Sequence, residues 1–363
     1  MRVPPDRVPT GAMVRARTTA ADEGDRVNRR RMLTVTAAGA AVAAASSTAR
    51  AAAVTGSSVS ALQDVLTFGP GVPSVAPSGP AVRRVVTQAR DRLEAGAYQE
   101  LVTVLPEQLA LATAWQQRGR GAGEVATLWA LAARVAIKSG DELLLSAAAD
   151  RAVRAAVDDD VPLVLAEARR MVSSAYRRAG RHERALQIAV RTADELCTAR
   201  ETSRAARDVA RGQVLATAAY TAAKLGDGSQ AYELLKAARG CAEQVSGEHA
   251  GAGGWFGMRQ IRGHEVSVRQ VLGEPSAAIS AARGIDLRGM PAERAARLWL
   301  DVARAYEEWG RPRETFEALQ RLEHAARQEL TRPSVQPLVA GVLRHDRQIS
   351  EARELAERAG ALG

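Results

Sequence analysis

Histidine is the side chain best suited to acid–base chemistry and metal binding near neutral pH, so the histidines are the first candidates for a chemical role. The chain has five, widely spaced: His182, His249, His264, His324 and His345. His264-Glu265 begins like the zinc-binding helix of a metalloprotease, but Val268 stands where the second histidine ligand is required. We therefore expect no bound metal.

Motifs of covalent and nucleotide chemistry are also missing from the sequence. The glycine cluster at 251–257 (GAGGWFG) could suggest phosphate binding, but no strand is predicted before it and no Gly-Lys-Ser or Gly-Lys-Thr follows. We interpret it as a flexible loop between repeats. The chain has no Gly-x-Ser-x-Gly elbow and no carboxylate pair whose spacing requires a catalytic explanation. The sequence thus predicts a protein that is not an enzyme and has no cofactor.

The net charge of +9 raises the question of nucleic-acid binding, because a basic surface is the electrostatic signature of such proteins. Residues 1–50 contain nine arginines and four acidic residues, which leaves 41 basic and 37 acidic residues, a net charge of +4, from position 51 onward. The excess charge is therefore concentrated near the N-terminus. We expect no direct nucleic-acid binding by this chain.

Three segments precede the first helical periodicity. Residues 1–27 have three prolines and no apolar period, which is typical of a disordered basic tail. Residues 54–80 end in a stretch, 69–80, whose four prolines prevent helix and strand from propagating. We interpret 54–80 as a linker rich in proline, glycine and serine, ahead of a folded domain at 81–361.

Between the tail and the linker, residues 28–53 resemble a twin-arginine export signal. The pair Arg29-Arg30 is followed by eighteen uncharged residues (32–49), and small residues near Ala51 suit a signal peptidase. The alternative is an alanine-rich linker, because few residues of this run partition strongly into lipid. A stable membrane span is not expected, since a span needs about 20 predominantly apolar residues.

From residue 81 onward, alanine- and leucine-rich runs repeat. Aromatic residues make up only 4% of the chain, a composition that favours an all-α fold. A glycine ends one amphipathic run and a small or apolar residue opens the next five positions later, in six copies: Gly96 and Leu101, Gly140 and Leu145, Gly180 and Ala185, Gly226 and Ala231, Gly273 and Ala278, Gly310 and Thr315. Since glycine suits the left-handed residue that ends a helix, we predict a tetratricopeptide-like α-solenoid of about six to seven helical hairpins.

Aromatic residues recur upstream of these glycines at the tetratricopeptide positions. Trp129 and Trp299 each stand 11 residues before a repeat glycine, and Tyr176 and Tyr306 each stand four before one. A spacing of seven keeps such residues on one face of a helix. We therefore predict that they pack in the core between hairpin helices and do not bind a ligand.

Three stretches of the chain resemble a known family: Trp129–Ala156, Met171–Val190 and Pro337–Gly360. Together, over about residues 80–361, they are similar to the C-terminal tetratricopeptide-like half of actinobacterial Cro/CI (XRE)-type helix-turn-helix regulators. In that family a DNA-binding domain precedes the solenoid, whereas residues 1–80 leave no room for one here. The resemblance also implies a cytoplasmic location, because such regulators often have a similar arginine run before the solenoid. Export by the twin-arginine pathway is the alternative.

A solenoid of this kind has a concave groove, lined by the first helix of each hairpin, that suits an extended peptide or a partner's helix. The repeat register places six basic residues at exposed positions of this groove: Arg134, Lys138, Arg170, Arg177, Lys224 and Arg304. We predict that they contact an acidic peptide or protein, the alternative being that each is a solvated surface charge. This interpretation expects a curved surface without an enclosed polar cavity.

Three hypotheses of function follow from the sequence. The first is a non-enzymatic regulatory or adaptor protein that binds a peptide or protein partner in the cytoplasm, related to the sensing half of a transcription regulator. The second is an exported tetratricopeptide-like binding protein. The third is a truncated DNA-binding transcriptional regulator whose helix-turn-helix is encoded upstream of Met1. A homodimer is left open.

Overall fold

The computed structural model describes residues 59–159, 162–199, 202–245, 247–251, 253–345 and 349–361. The chain divides into two units, Met1–Val54 and Thr55–Gly363, and the first lies outside the described residues. The predictions for the tail and for the twin-arginine segment with Arg29 and Arg30 therefore also lie outside them. All of the helices and strands described below belong to the second unit.

The described residues are almost entirely helical, which confirms the all-α class. The helices are α1 (59–68), α2 (Gly79–Glu94), α3 (Tyr98–Gln116), α4 (Ala122–Ser139), α5 (Glu142–Asp159), α6 (Pro162–Arg178), α7 (His182–Thr198), α8 (Arg204–Lys224), α9 (Gly228–Glu243), α10 (Met258–Val271), α11 (Pro275–Ala282), α12 (Ala292–Glu308), α13 (Pro312–Ala325), α14 (Arg327–Leu330), α15 (Gln336–Leu343) and α16 (Ala352–Arg358). None of these helices combines the length and the apolar character needed to cross a bilayer.

Helix α1 corrects the prediction that 54–80 is a linker throughout. Residues 59–68 are helical, and Leu62 and Val65 are buried in one core with α2 and α3. These two residues stand three positions apart on one helical face, which is typical of a helix. The prolines that follow them favoured a linker instead. Residues 69–78 contain no helix or strand, because proline fixes φ and lacks the amide hydrogen that both structures use.

Six hairpin turns obey one local rule. The repeat glycines predicted from the sequence all have a left-handed φ, between 71 and 79° across Gly96, Gly140, Gly180, Gly226, Gly273 and Gly310. After each glycine, the next residue donates its N–H to the carbonyl five positions earlier, as Arg181 does to Tyr176 at 2.9 Å. This is the Schellman arrangement, which favours glycine because a Cβ is disfavoured at positive φ. Successive helices from α2 to α13 are thereby folded back into hairpins.

The hairpins pack through small and aliphatic side chains. All six residues that stand five positions beyond the repeat glycines are buried, among them Ala185, Ala231 and Ala278. Because alanine lets two helix backbones approach closely, a core with few aromatic residues can still be dense. Trp129 is buried in one hydrophobic cluster, and Trp299 is half-buried against another, as predicted for these two aromatic repeat positions.

A short antiparallel sheet of β1 (His249–Gly251) and β2 (Gly254–Phe256) lies between α9 and α10. It corrects the interpretation of the glycine cluster as a flexible loop. Phe256 is fully buried, and a Cβ on Gly212 of α8 would lie 2.2 Å from the Phe256 Cζ, so Gly212 leaves room for the ring. The hairpin is held by burial of its aromatic residues, which glycine counting alone does not detect.

The first hairpin also contacts residues near the end of the chain. Helix α2 packs against α12, the Tyr98 hydroxyl donates to Glu329 Oε1, and the Gln99 amide donates to Gln328 Oε1 at 3.0 Å. In an open solenoid each hairpin contacts only its neighbours. These contacts therefore add a closure between distant hairpins that the repeat pattern does not predict.

Candidate functional site

A partly enclosed cavity of about 160 Å³, lined by charged and apolar side chains, lies among α4, α6, α8, α10 and α12, the first helices of five successive hairpins. The sequence interpretation expected no such cavity, and the difference arises from the closure near Glu329. The basic residues that line it come from several of these elements: Arg134 and Lys138 of α4, Arg170 and Arg177 of α6, Arg259 of α10, Arg294 and Arg297 of α12, and Arg332 beyond α14. A cavity of similar volume in a protein core can hold benzene, so this one has room for a small molecule or a single side chain.

Helical periodicity explains why these side chains meet. Arg134 and Lys138 stand four residues apart on α4, Arg170 and Arg177 stand seven apart on α6, and Arg297 stands three residues after Arg294 on α12. Such spacings place side chains on one face of a helix. Each helix therefore presents its cations on the face that borders the cavity.

One end of the cavity is closed by a buried ionic network. Lys138 Nζ lies 2.5 Å from Glu293 Oε1 and 2.8 Å from Glu329 Oε1, and Arg332 also donates to Glu329. Burial alone would raise the pKa of Glu329, but Lys138 and Arg332 lower it to about 2. Burial would also raise the pKa of Glu293, but the charges of Lys138, Arg294 and Arg134 outweigh it and lower that pKa. Both carboxylates are therefore ionised and link α4 to α12 and α14.

The β-hairpin forms another part of the wall. Arg134 donates to the Gly253 carbonyl at 3.3 Å, and Gln213 of α8 donates to the Gly254 carbonyl at 2.9 Å. A Cβ on Gly253 would lie 2.1 Å from Gln213 Oε1, so a larger residue there would require the Gln213 side chain to move. The guanidinium of Arg259 stacks on Trp255, with 5.2 Å between its Cζ and the ring centre.

A second group of cations surrounds Tyr220 of α8. The guanidinium carbons of Arg177 and Arg297 lie 5.2 and 5.4 Å from the centre of its ring, and Lys224 Nζ lies 5.9 Å from it. Although burial opposes the change, Arg297 and Lys224 lower the pKa of the Tyr220 hydroxyl. Buried Asp301 receives hydrogen bonds from Arg297 and from Ser267.

Arg177 is the cation of this group that lines the cavity and has no acidic partner. Among the described residues it has no carboxylate within ion-pairing distance, and its Nη atoms donate to Thr221 Oγ1 and Ser174 Oγ, both at 3.3 Å. Burial, the largest cause, lowers the pKa of its guanidinium to about 10, and Arg297 acts in the same direction. Arg177 therefore stays charged at neutral pH and can accept an anionic partner.

His264 lies close to several of these arginines, and their charges affect its imidazole. Burial, followed by the charges of Arg294, Arg297 and Arg170, lowers the pKa of its imidazole to about 3. His264 is thus neutral at physiological pH. Its side chain lines the cavity, so the pKa of its imidazole depends on the charges there.

The cavity has a positive charge excess. Eight cations line it, and seven of them pair with five carboxylates, those of Glu167, Glu248, Glu293, Asp301 and Glu329. Three positive charges are therefore uncompensated. In the described part of the chain, no group of three or more histidine, cysteine or acidic residues could hold a metal ion. The arrangement is suited to binding an anion.

Four of the six predicted partner-binding residues line this cavity, namely Arg134, Lys138, Arg170 and Arg177. Arg304 and Lys224 are not lining residues: Arg304 lies 3.2 Å from Asp301, and Lys224 is exposed near Tyr220. The expectation that all six are exposed is wrong for five of them. Arg134 and Lys138 are only 8 and 9% exposed, because the closure with Glu293 and Glu329 covers them, and Arg170, Arg177 and Arg304 are half-buried. Whether these residues bind a partner stays a prediction.

Sequence reasoning missed half of the basic lining: Arg259, Arg294, Arg297 and Arg332. Arg297 stands seven residues before the predicted Arg304, so extending the helical period along α12 would have found it. Arg332 lies between α14 and α15 and is brought to the cavity by long-range contacts, so no local pattern indicates it.

Comparisons of this chain with protein-family models, with curated proteins and with solved structures find no match.

Proposed function

We propose that this chain is a non-enzymatic regulatory or adaptor protein, built as a tetratricopeptide-like array of helical hairpins, that binds an acidic peptide or protein partner. The observation that carries the proposal is the positive excess in the cavity between the first helices of the hairpins. An acidic side chain or a terminal carboxylate of the partner would enter the cavity, because its volume suits a single group and not a folded element.

The repeated turns support the tetratricopeptide-like part of the proposal. In six hairpins the first helix ends in the same left-handed glycine and the same five-residue hydrogen bond, and the first helices of five of them border one cavity. Proteins made of stacked helical hairpins use this inner face to bind extended segments. Arginine is well suited to such a site, since its planar group pairs with a carboxylate through two parallel hydrogen bonds.

Fluorescence anisotropy with two labelled decapeptides tests the proposal. One is rich in aspartate and glutamate, and the other has asparagine and glutamine at the same positions. We expect the acidic peptide to bind and the amide peptide not to bind at the same ionic strength. Arg177→Gln should weaken binding about tenfold or more, as loss of a charge-assisted hydrogen bond predicts.

Arg184→Gln provides the matched control. Arg184 is exposed on α7, and its replacement removes the same unit of charge away from the cavity. We expect this variant to bind the acidic peptide as the wild type does. Equal binding of the two peptides, or equal loss of affinity in the two variants, would contradict a site in the cavity.

The proposal places the protein in the cytoplasm, and the exported alternative predicts a different fate for the full chain. Export would produce cleavage near Ala51 that is abolished when Arg29→Lys and Arg30→Lys are combined. We expect an immunoblot of the C-terminally tagged chain to show one uncleaved species in both backgrounds. A processed band that depends on the arginine pair would refute the cytoplasmic location.

A further inference from the structure

The cations that line the cavity come from different helices. Arg177 belongs to α6, Arg259 to α10 and Arg297 to α12. A carboxylate directs its two oxygens in one plane, whereas a tetrahedral group directs oxygens toward donors on several sides. Donors that converge from several helices therefore fit a tetrahedral anion better than a planar one.

The size of the positive charge excess favours an anion with more than one negative charge. Eight lining cations and five paired carboxylates leave three positive charges, so a monoanion would neutralise only one of them. A phosphate monoester has a charge of about −1.5 to −2 at neutral pH and three strong acceptor oxygens. It is the common biological group that combines a tetrahedral shape with this charge.

One further side chain in the cavity has an unused hydrogen-bond donor. Arg332 lines the cavity and is 6% exposed. Its Nε is a buried atom without a hydrogen-bond partner. A buried polar group usually has a partner, and an unpaired guanidinium N–H is a free donor for an anion.

We propose that the cavity binds a phosphate monoester group, with Arg177 as its principal partner and Arg297 and Arg294 completing the positive surface around it. This inference rests on the proposed function and narrows it, because it names the chemistry of the acidic group that enters the cavity. The group could belong to a free small molecule or to a phosphorylated side chain of a partner. Both sources present the same phosphoryl oxygens.

Isothermal titration calorimetry on the full chain tests the inference. Glycerol 3-phosphate represents the small molecule, an acidic decapeptide containing one phosphoserine represents the side chain, and acetate and succinate are the carboxylate controls at matched ionic strength. We expect glycerol 3-phosphate to bind about tenfold tighter or more than acetate and succinate, or the phosphoserine decapeptide to bind about tenfold tighter or more than the same decapeptide with an unphosphorylated serine. The arm that exceeds its own control by the larger factor identifies the source of the group.

Substitutions of single arginines test whether the phosphate monoester binds in the cavity. Arg177→Gln should weaken phosphate-monoester binding about tenfold or more, whereas the surface variant Arg184→Gln should not change it. If Arg177→Gln fails to fold, Arg294→Gln replaces it with the same expectation, since Arg294 lines the cavity on another helix.

The outcomes separate the two proposals. Binding of the unphosphorylated acidic decapeptide without any preference for a phosphate monoester overturns this inference and leaves the proposed function standing. Phosphate binding that is equal to succinate binding, or that is unaffected by Arg177→Gln and Arg294→Gln, also overturns it. Failure of every anionic probe to bind overturns both.

Discussion

Replacement of Lys138 by methionine is the most informative test of how the cavity is held together. Lys138 Nζ lies 2.5 Å from Glu293 and 2.8 Å from Glu329, and it joins α4 to α12 and α14. The two carboxylates are 6 and 0% exposed, so they cannot regain water when the cation is removed. Methionine keeps most of the volume of the lysine side chain, and the change mainly removes the charge.

The expected cost reflects the burial of these groups. Removing one partner of a buried ion pair typically costs about 3 to 5 kcal/mol of stability. Arg294 and Arg332 remain beside the two carboxylates and offset part of the loss. We therefore expect Lys138→Met to lower the free energy of unfolding by about 3 kcal/mol at pH 7.

The cost should also depend on pH in a defined direction. The pKa of Glu329 is lowered to about 2 in the folded chain, although burial opposes this, because of Lys138 and Arg332. A lowered carboxylate pKa stabilises the fold above the ordinary pKa and loses this effect as pH falls toward the folded value. The difference between wild type and Lys138→Met should therefore shrink, by about 1 kcal/mol, between pH 7 and pH 3.5.

Urea unfolding followed by circular dichroism at both pH values measures this difference. Lys236→Met is the control, because Lys236 is exposed on α9 and has no acid within ion-pairing distance among the described residues. We expect the control to change stability by less than about 0.5 kcal/mol. A loss below about 1 kcal/mol for Lys138→Met at pH 7, or a loss that does not depend on pH, would refute the ionic network as a closing contact.

Two further predictions test the interior. Gly212→Ala should destabilise the fold by about 1 to 3 kcal/mol, because its Cβ would lie 2.2 Å from the Phe256 ring, whereas Gly240→Ala, with nothing within 4 Å, should be neutral or stabilising in thermal unfolding. Burial, the largest cause, raises the pKa of Glu308 to about 7, so the wild type should lose stability as pH rises from about 4.5 to 7. Glu308→Gln should remove that loss, about 2 kcal/mol, in a pH series of urea titrations, and an unchanged slope would show that Glu308 titrates normally.

The hairpin turns could be predicted from the sequence because their cause is local. A glycine such as Gly180 adopts its left-handed φ through the steric freedom of one residue, and Ala185 is buried because of its place in the next turn of helix. Both signals lie within a few residues of each other. Helix α1 was not predicted, although its apolar spacing is equally local, because the prolines that follow it favour a linker.

The cavity could be predicted only in part because its causes are distant in sequence. The periodicity of α4 and α6 brought Arg134 and Arg177 into one predicted surface. The enclosure of the cavity near Lys138 depends on Glu329, which pairs with this lysine from 191 residues away, and no single-sequence pattern contains that pairing. The β-hairpin was missed for the same reason, since its Phe256 is held by Gly212 of a preceding helix.

The central claim is that an anionic ligand enters the cation-lined cavity, and the imidazole of His264 reports on this most directly. In the free protein the pKa of His264 is lowered to about 3 by burial and by surrounding arginines, so histidine-selective NMR should show a neutral ring from pH 7.5 to 4.5. A bound anion changes the field of the arginines at the ring, although the burial that is the largest cause of the lowered pKa remains, so we expect the acidic decapeptide to shift the ring resonances of His264. A peptide that binds without changing the His264 resonances would contradict the claim.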